Sequence, residues 1–241
     1  MSNKYELIDD IIIVAGHSLH RIRALRDFGK IKAGDLGGYI ESETRLKHSG
    51  DAWVFGQAQV YGYAKVTGNA QIFGNARIYG NAKIFGNARI YGEAQVFGNA
   101  KISGHAQVYD EAWVYGEAQV FGNAQVFGHA WVFGSALVYD NAQIYEYARV
   151  YDKTTIYGNA QAFGINARIH GYVQVYDNAR VYDNAQVYGN VRIFGDAWVC
   201  EYAWVSRNVN LDSDIWNQTI QIHRNWCVIS TTLKKSIIGE V

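Results

Sequence analysis

Apolar and polar positions follow a six-residue period along most of this chain. From Val54 to Gln161 the sequence reads as 18 consecutive hexads with the consensus aliphatic, aromatic, Gly, Asn, Ala, polar. A seven-residue unit from Ala162 to Arg168 interrupts the period, and seven more hexads run from Ile169 to Asn210. The alternation of Ala and Val or Ile around one polar residue predicts a short strand. The Gly-Asn pair that follows predicts a sharp corner, because both residue types accept a positive φ.

Strands this short cannot bury an apolar face alone, so successive hexads are expected to coil and stack. Three hexads per turn form a triangular prism in which residues 18 apart lie above one another. The sequence therefore predicts an all-β parallel solenoid of about nine rungs, spaced by about 4.8 Å. Ala and the branched residues fill its narrow interior.

Both ends depart from the hexad pattern and predict antiparallel strand pairs. Ile11–Val14 and Leu19–Leu25 flank a Gly-containing turn at one end, and Thr219–His223 and Trp226–Ser230 form the second pair. We expect both pairs to cap the solenoid, since open strand edges invite end-to-end association. The predicted organisation is one structural domain: an N-terminal β cap over residues 1–47, the solenoid over 48–210 and a C-terminal β cap over 211–241.

The hexads resemble those of the left-handed parallel β-helix in hexapeptide-repeat proteins. In that family the aliphatic residue points inward, with a small residue two positions before it, as in Ala76-Arg77-Ile78 and Ala118-Gln119-Val120. The resemblance implies a left-handed coil. This chain departs from the family pattern just after the aliphatic residue, where it has Tyr or Phe and places Gly one position later.

The N-terminal segment is similar to the start of YdcK-type proteins, uncharacterised bacterial hexapeptide-repeat proteins with relatives in phages and prophages. The similarity covers Ile22–Phe28, Lys32–Tyr39 and Gly50–Trp53. It implies little about function beyond a phage association.

Composition and charge exclude several function classes. Lys plus Arg and Asp plus Glu each number 22, so the net charge is zero, which argues against nucleic-acid binding and against attraction to an anionic membrane. Two Cys cannot build a disulfide framework. Residues 1–10 lack signal-peptide character, and no apolar run is long enough to span a membrane. We expect a soluble cytoplasmic protein.

The 18-residue stacking sorts the outward polar positions into three faces, which we number one to three. Face one carries Trp53, Gln71, Arg89, Gln107, Gln125, Gln143, Gln161, Arg180 and Trp198. Face two carries Gln59, Arg77, Gln95, Trp113, Trp131, Arg149, Arg168, Gln186 and Trp204. Face three carries Lys65, Lys83, Lys101, Gln119, Leu137, Thr155, Gln174, Arg192 and Asn210. The four consecutive Gln of face one predict an amide ladder.

Two faces carry candidate binding residues. On face two, Trp113 and Trp131 occupy adjacent rungs beside Tyr115 and Phe133, with Arg149 above them. Trp, Tyr and Arg are frequent interface anchors, so these five residues predict an oligomer or partner surface, the alternative being simple stacking of rungs. On face three, Lys65, Lys83 and Lys101 predict either an anion-binding stripe or a solvated face.

Three columns of aromatic rings are predicted along the corners. They begin at Phe55, at Tyr61 and, less regularly, at Phe85. Stacked rings on neighbouring rungs stabilise each other by about 0.5–1 kcal/mol per pair, so we expect the columns to be structural.

The sequence gives little support for catalysis. The hexapeptide-repeat resemblance implies acyltransferase or zinc enzyme relatives, in which a catalytic His often lies beside an extruded loop, but this repeat has no such loop. His105 and His129 are weak candidates, and their 24-residue separation places them at different corners. No metal site is predicted, since zinc needs three or four converging ligands, and no cofactor motif is present.

We therefore expect a non-catalytic binding or scaffolding protein that self-associates or docks a protein partner through its aromatic face. One alternative is a hexapeptide-type acyltransferase with a site between subunits. Another is a phage or prophage accessory protein that sequesters a host factor or a small anionic ligand.

Overall fold

The hexads form short strands joined by tight corners. The computed structural model describes residues 3–212, 215–216, 219–223 and 226–230. Most units contribute a two-residue strand, such as Arg77–Ile78, and then turn at a residue with positive φ, such as Gly80 at 66°. A side chain at Gly80 would meet the backbone of Gly98 one rung above at 2.9 Å and would have to adopt a positive φ, so Gly is favoured there, although Asp takes the same corner on other rungs.

The strands stack into three sheets, one for each predicted face. Face one consists of Trp53–Val54, Gln71–Ile72, Arg89–Ile90, Gln107–Val108, Gln125–Val126, Gln143–Ile144, Gln161–Ala162, Arg180–Val181, Trp198–Cys200 and Ile215–Trp216. Face two contains Gln59–Val60, Arg77–Ile78, Gln95–Val96, Trp113–Val114, Trp131–Val132, Arg149–Val150, Arg168–Gly171, Gln186–Gly189 and Trp204–Ser206. Face three consists of Lys65–Val66, Lys83–Ile84, Lys101–Ile102, Gln119–Val120, Leu137–Val138, Thr155–Ile156, Gln174–Val175, Val191–Ile193 and Val209–Leu211. All pairings within these three sets are parallel. The predicted all-β parallel solenoid with a triangular section is confirmed.

The predicted columns are also confirmed by the strand register. Trp113 lies directly below Trp131 on face two, and Lys83 lies directly below Lys101 on face three. At the seven-residue unit the spacing becomes 19, so that Arg149 pairs with Arg168. The extra residue is taken up near Gly164, which has a φ of 107°, and leaves the Ile165 side chain exposed.

The core is a continuous stack of inward-facing Ala and Val or Ile side chains. Ala118 and Val120, for example, have no exposed surface. Thr154 occupies an Ala position in this core, and its buried hydroxyl donates to the carbonyl of Tyr151 at 2.8 Å. The polar group is therefore tolerated because its hydrogen bond is made inside the solenoid.

An antiparallel hairpin closes the N-terminal end. Strand β1 (Tyr5–Val14) pairs with β2 (His17–Ala24), β2 pairs with β3 (Leu36–Ile40), and β3 joins face two alongside Gln59–Val60. A short 3₁₀ helix covers Glu43–Arg45. The predicted N-terminal strand pair is confirmed, and its residues extend the apolar core downwards.

Trp53 differs from the expectation that it lies on the outward surface of face one. It keeps the predicted register beside Gln71, but only 1% of it is exposed. The rings of Tyr5 and Phe28 pack against it with centroids at 6.0 and 5.3 Å. The Trp53 indole is therefore covered by the N-terminal cap.

The predicted C-terminal strand pair is likewise confirmed. Thr219–His223 and Trp226–Ser230 pair antiparallel, and the first continues face two next to Trp204–Ser206. No helix among the described residues is long and apolar enough to cross a membrane.

Ring columns line the corners as the sequence predicts. Phe97 and Tyr115 stack with centroids 4.8 Å apart and planes 1° apart, and most neighbouring rings of the other columns repeat this geometry. The column that begins at Phe55 is interrupted between Phe73 and Tyr91, whose rings meet edge-on at 6.4 Å. The column that begins at Tyr61 continues beyond Tyr151 through His170 to Tyr188. Burial raises the pKa of many of these tyrosines, including Tyr79 and Tyr145, which is expected for rings packed in a column.

The amide ladder predicted on face one is only partly formed. Gln161 donates to Gln143 at 3.0 Å, but the carbonyl oxygens of Gln107 and Gln125 accept hydrogen bonds from the hydroxyls of Tyr91 and Tyr109. The longer amide ladder runs instead along a corner, through Asn123, Asn141, Asn159, Asn178 and Asp196.

Candidate functional site

A groove on face two contains three of the residues predicted to bind a partner. Trp113, Trp131 and Arg149 form its floor on three consecutive rungs. The wall is the corner that precedes these strands, formed by Glu111, His129 and Tyr147. The groove has a volume of about 280 Å³.

The floor of this groove is a stack of two indoles and one guanidinium group. The Trp113 and Trp131 rings are parallel within 7°, with centroids 5.2 Å apart. The Arg149 guanidinium carbon lies 4.6 Å from the Trp131 ring, within the range of a cation–π contact. Both indoles are partly buried, whereas Arg149 is exposed. The surface therefore presents two stacked aromatic rings with a positive charge at one end.

The wall is held by contacts between neighbouring rungs. The Nδ1 atom of His129 lies 3.2 Å from the Glu111 carboxylate, and its ring stacks on Tyr147 at 4.6 Å. About half of Tyr147 is exposed. The groove thus has a carboxylate at the opposite end from Arg149, so its two ends differ in charge.

Tyr115 and Phe133 lie on the other side of the tryptophans. They stack on each other at 4.8 Å in the ring column, and Phe97 of that column meets Trp113 edge-on at 6.1 Å. Burial raises the pKa of Tyr115, and the Arg149 charge opposes that rise. These two predicted residues belong to the ring column and do not line the groove.

A second groove, of about 540 Å³, lies on face three. The three predicted lysines, Lys65, Lys83 and Lys101, line it on consecutive rungs. Its wall is the corner formed by Tyr63, Asn81 and Asn99, and its lower end is formed by Thr44 and Arg45. Its volume falls within the range of about 300–1,000 Å³ that is usual for small-molecule sites, whereas the groove on face two lies just below it.

Arg45 extends the lysine column because the first turn is longer than the others. Leu46 bridges to Val66, a separation of 20 residues, which brings Arg45 beside Lys65 where an 18-residue turn would bring Lys47. The Arg45 guanidinium carbon lies 5.8 Å from the Tyr63 ring, and its Nε lies 3.5 Å from the Glu41 carboxylate. Burial of Glu41 acts to raise its pKa, but hydrogen bonds from His17 and Gly62 hold that pKa below its usual value.

The comparisons with known proteins identify the repeat. The family model described as YdcK beta solenoid repeat matches residues 70–83, 173–186 and 185–201. Together with the solenoid fold, these matches support a YdcK-type solenoid protein. All three matched segments lie in the stacked hexads, and a place in the wider hexapeptide-repeat superfamily is consistent with them. No curated protein matches the chain.

The two histidines considered as catalytic candidates lie at different corners of the solenoid. His105 is exposed and belongs to an amide column, where its Nε2 lies 3.4 Å from the side-chain nitrogen of Asn87. His129 belongs to the wall of the face-two groove. Within the part of the chain that the structure describes, no three His, Cys, Asp or Glu side chains are placed to hold a metal ion.

Some residues of both grooves were missed by the sequence analysis. Asn81 and Asn99, like Glu111 and Tyr147, lie two positions before the outward residues that were singled out, and they repeat at the same 18-residue spacing. Comparing each face with the corner before it would have found them. No periodic signal could have found Arg45, since it depends on the 20-residue first turn.

Proposed function

We propose that this YdcK-type protein is a non-catalytic binding protein that docks a protein partner, or a second copy of itself, through the groove on face two. The observation that carries this proposal is the parallel stack of Trp113 and Trp131 with the Arg149 guanidinium on top of it. Trp, Tyr and Arg dominate the binding energy of protein interfaces, and here all three line one groove.

The composition of the groove supports a localised site rather than a general feature of the repeat. Gln and Arg fill most of the outward positions of face two, and the two tryptophans replace them on adjacent rungs. On the same two rungs the consensus Asn of the corner is replaced by Glu111 and His129. The same corner also lacks Asn on the rung below and on the rung above, where Glu93 and Tyr147 stand, so the corner departs from the consensus over the four rungs that include both tryptophans.

The size of the groove favours a side chain of a partner protein over a free small molecule. Its volume of about 280 Å³ is at the lower limit of the usual range for small-molecule sites, which starts at about 300 Å³, and the groove is formed by outward-facing residues of an open face. A partner side chain that enters it would lie on the indoles, with the Glu111 carboxylate at one end and Arg149 at the other. A rim of polar residues around an aromatic centre is the usual arrangement of such interfaces.

The double variant Trp113→Ala/Trp131→Ala tests this proposal. We expect it to lower the mass measured by light scattering during size-exclusion chromatography, or to abolish capture of the partner that the unmodified chain retains. Each tryptophan at the centre of an interface is expected to contribute about 2 kcal/mol or more. Because the indoles point outwards, circular dichroism of the variant should still show the β-solenoid.

The matched control is Gln125→Ala/Gln143→Ala on face one, which truncates two outward side chains on adjacent rungs. It should change neither mass nor capture. If the tryptophan variant keeps the mass and the partner of the unmodified chain, the proposal is wrong.

The acyltransferase alternative has less support from the geometry. His129 is paired with Glu111 in an open groove, and His105 forms part of an amide column, so neither has a neighbouring nucleophile or an enclosed cavity among the described residues. Catalysis would therefore have to be assembled between subunits.

A further inference from the structure

The lysine column of face three is a concentration of uncompensated charge. Lys65, Lys83 and Lys101 are exposed, and none of the three makes a hydrogen bond or an ion pair within the described part of the chain. Their rungs are about 4.8 Å apart, as the ring stack of Tyr79 and Phe97 shows at 4.8 Å. Three ammonium groups at this spacing repel one another, which destabilises the empty face.

We propose that the groove over Lys65, Lys83 and Lys101 binds an oligophosphate, a ligand that carries several phosphate groups in line. This site lies on a different face from the partner-docking groove and does not depend on it. The three ammonium groups would each contact a phosphate group, and the ligand would relieve their mutual repulsion.

The wall of the groove supplies neutral donors beside these charges. The Asn81 side-chain nitrogen donates to the Asn99 oxygen at 3.0 Å, and the Asn99 side-chain nitrogen makes no hydrogen bond among the described residues. Three-quarters of Tyr63 is exposed, and its ring lies at the lower end of the groove above Arg45. The Thr44 hydroxyl lies at the same end, where it shares a hydrogen bond with Ser42.

The charges also limit the length of the ligand. Above Lys101 the column continues with Gln119 and then Leu137, and the corner above Asn99 carries the acidic Glu117. Below Lys65, Arg45 is partly compensated by Glu41 at 3.5 Å. From Arg45 to Lys101 the positive stretch covers three rung steps, or about 14 Å. A short chain of phosphates fits this length, whereas a long polyanion would extend over neutral and acidic positions.

Lysine binds phosphate as a compact point charge with three donors that can rotate towards a tetrahedral anion. Arg45 adds a planar guanidinium group at the lower end of this groove. A run of point charges about 4.8 Å apart, with amide donors beside it, is better matched to several anionic groups in line than to a single carboxylate.

Calorimetric titration of the full chain with inorganic tripolyphosphate tests the proposal. We expect saturable binding that weakens with added salt, because the contacts are between charges at the surface. The variant Lys65→Gln/Lys83→Gln/Lys101→Gln should bind at least about tenfold more weakly, and Lys83→Arg should retain binding. All three lysines are exposed, so the fold should be unchanged by circular dichroism.

The control variant is Lys30→Gln/Arg77→Gln/Lys153→Gln, which removes an equal number of positive charges, all of them outside the groove. It should bind tripolyphosphate about as tightly as the unmodified chain, within about twofold. If this control loses as much affinity as the groove variant, the effect comes from net charge and the proposal is wrong. Absence of binding by the unmodified chain would also overturn it.

Two further ligands define what the groove recognises. Orthophosphate should bind much more weakly than tripolyphosphate, and equal affinity for the two would overturn the requirement for phosphates in line. Titration with adenosine triphosphate tests whether the groove takes the phosphate groups of a nucleotide or those of a free phosphate chain. Binding tighter than that of tripolyphosphate would identify a nucleotide, with Tyr63 as the platform for the base, and weaker binding would identify a free phosphate chain.

Discussion

The carboxylate of Asp110 accepts a hydrogen bond from the backbone N–H of Gly128, the residue stacked one rung above it, at 3.2 Å. Asp110 occupies a corner position where the consensus has Gly, and its φ is 56°. Three other aspartates with positive φ make the same bond to the glycine above them, namely Asp140 to Gly158, Asp152 to Gly171 and Asp177 to Gly195. A corner aspartate thus offsets its backbone strain with a bond between rungs.

Substitution of Asp110 separates these two effects. Asp110→Ala loses the hydrogen bond and keeps a strained φ, so we expect a loss of about 1–2 kcal/mol in the free energy of unfolding. Asp110→Gly loses the same bond but removes the strain, so it should cost less than about 1 kcal/mol. Urea unfolding measures both, and hydrogen exchange at the Gly128 amide should be faster in both. An alanine variant as stable as the glycine variant would contradict this account.

The inward positions of the hexads are expected to tolerate no charge. Val120 is fully buried between Ile102 below and Val138 above. Val120→Asp places an unpaired carboxylate in the core and should destabilise the solenoid by several kcal/mol, about 3 or more. The adjacent Gln119→Asp is the control, since Gln119 points outwards beside Lys101, and its effect should stay within about 0.5 kcal/mol. Thermal unfolding followed by circular dichroism distinguishes the two variants, and equal loss in both would refute the inward assignment.

Much of the solenoid follows from the period of the sequence. Once a hexad is assigned to a strand and a corner, the 18-residue turn fixes which residues stack, as with Trp113 below Trp131 and Lys83 below Lys101. The period also determines which side chains are buried, since one shift of register would turn the whole Ala and Val set outwards.

Features that depend on non-repeating segments could not be predicted in this way. The burial of Trp53 results from Tyr5 and Phe28, whose position against it depends on the hairpin of the cap. Arg45 joins the lysine column only because the first turn has two additional residues. The glutamine ladder was overestimated because tyrosine hydroxyls from the neighbouring column compete for the Gln107 and Gln125 oxygens.

Tyrosine ionisation is expected to weaken the solenoid at high pH. Burial, together with the nearby Tyr91 and Asp110, raises the pKa of Tyr109 from its ordinary value of 10.0 to about 12. Above pH 10 the unfolded chain releases this proton while the folded chain retains it, so the free energy of unfolding falls as pH rises towards 12. Tyr109→Phe keeps the ring stacked between Tyr91 and Phe127 and should reduce the slope of stability against pH in this range. Urea unfolding at a series of pH values checks this, and an unchanged slope would contradict it.

Lys4 should give a pH dependence of the opposite sign at lower pH. Its side chain is fully buried in the cap, where the ammonium group donates to the carbonyl of Ala52 at 2.8 Å and lies 5.0 Å from the Phe28 ring. Burial lowers the pKa of Lys4 to about 8, although the charge of Asp51 opposes the change. Between pH 8 and pH 10.5 the unfolded chain therefore binds a proton that the folded chain has released.

Because the pKa of Lys4 is lower in the folded chain, protonation of Lys4 favours the unfolded state. The free energy of unfolding should therefore rise as pH increases from about 8 towards 10, by an amount on the order of 1–3 kcal/mol. Lys4→Met removes the titrating group and should abolish this rise, whatever its effect on stability at a single pH. Lys30→Met, at an exposed position of the same cap, is the matched control and should retain the rise. Chemical unfolding between pH 7.5 and 9.5, below the range of tyrosine ionisation at about 10, gives both slopes. If the free energy of unfolding of the unmodified chain does not change with pH in this range, or if Lys4→Met shows the same slope, then burial in the folded cap does not disfavour the charged form of Lys4.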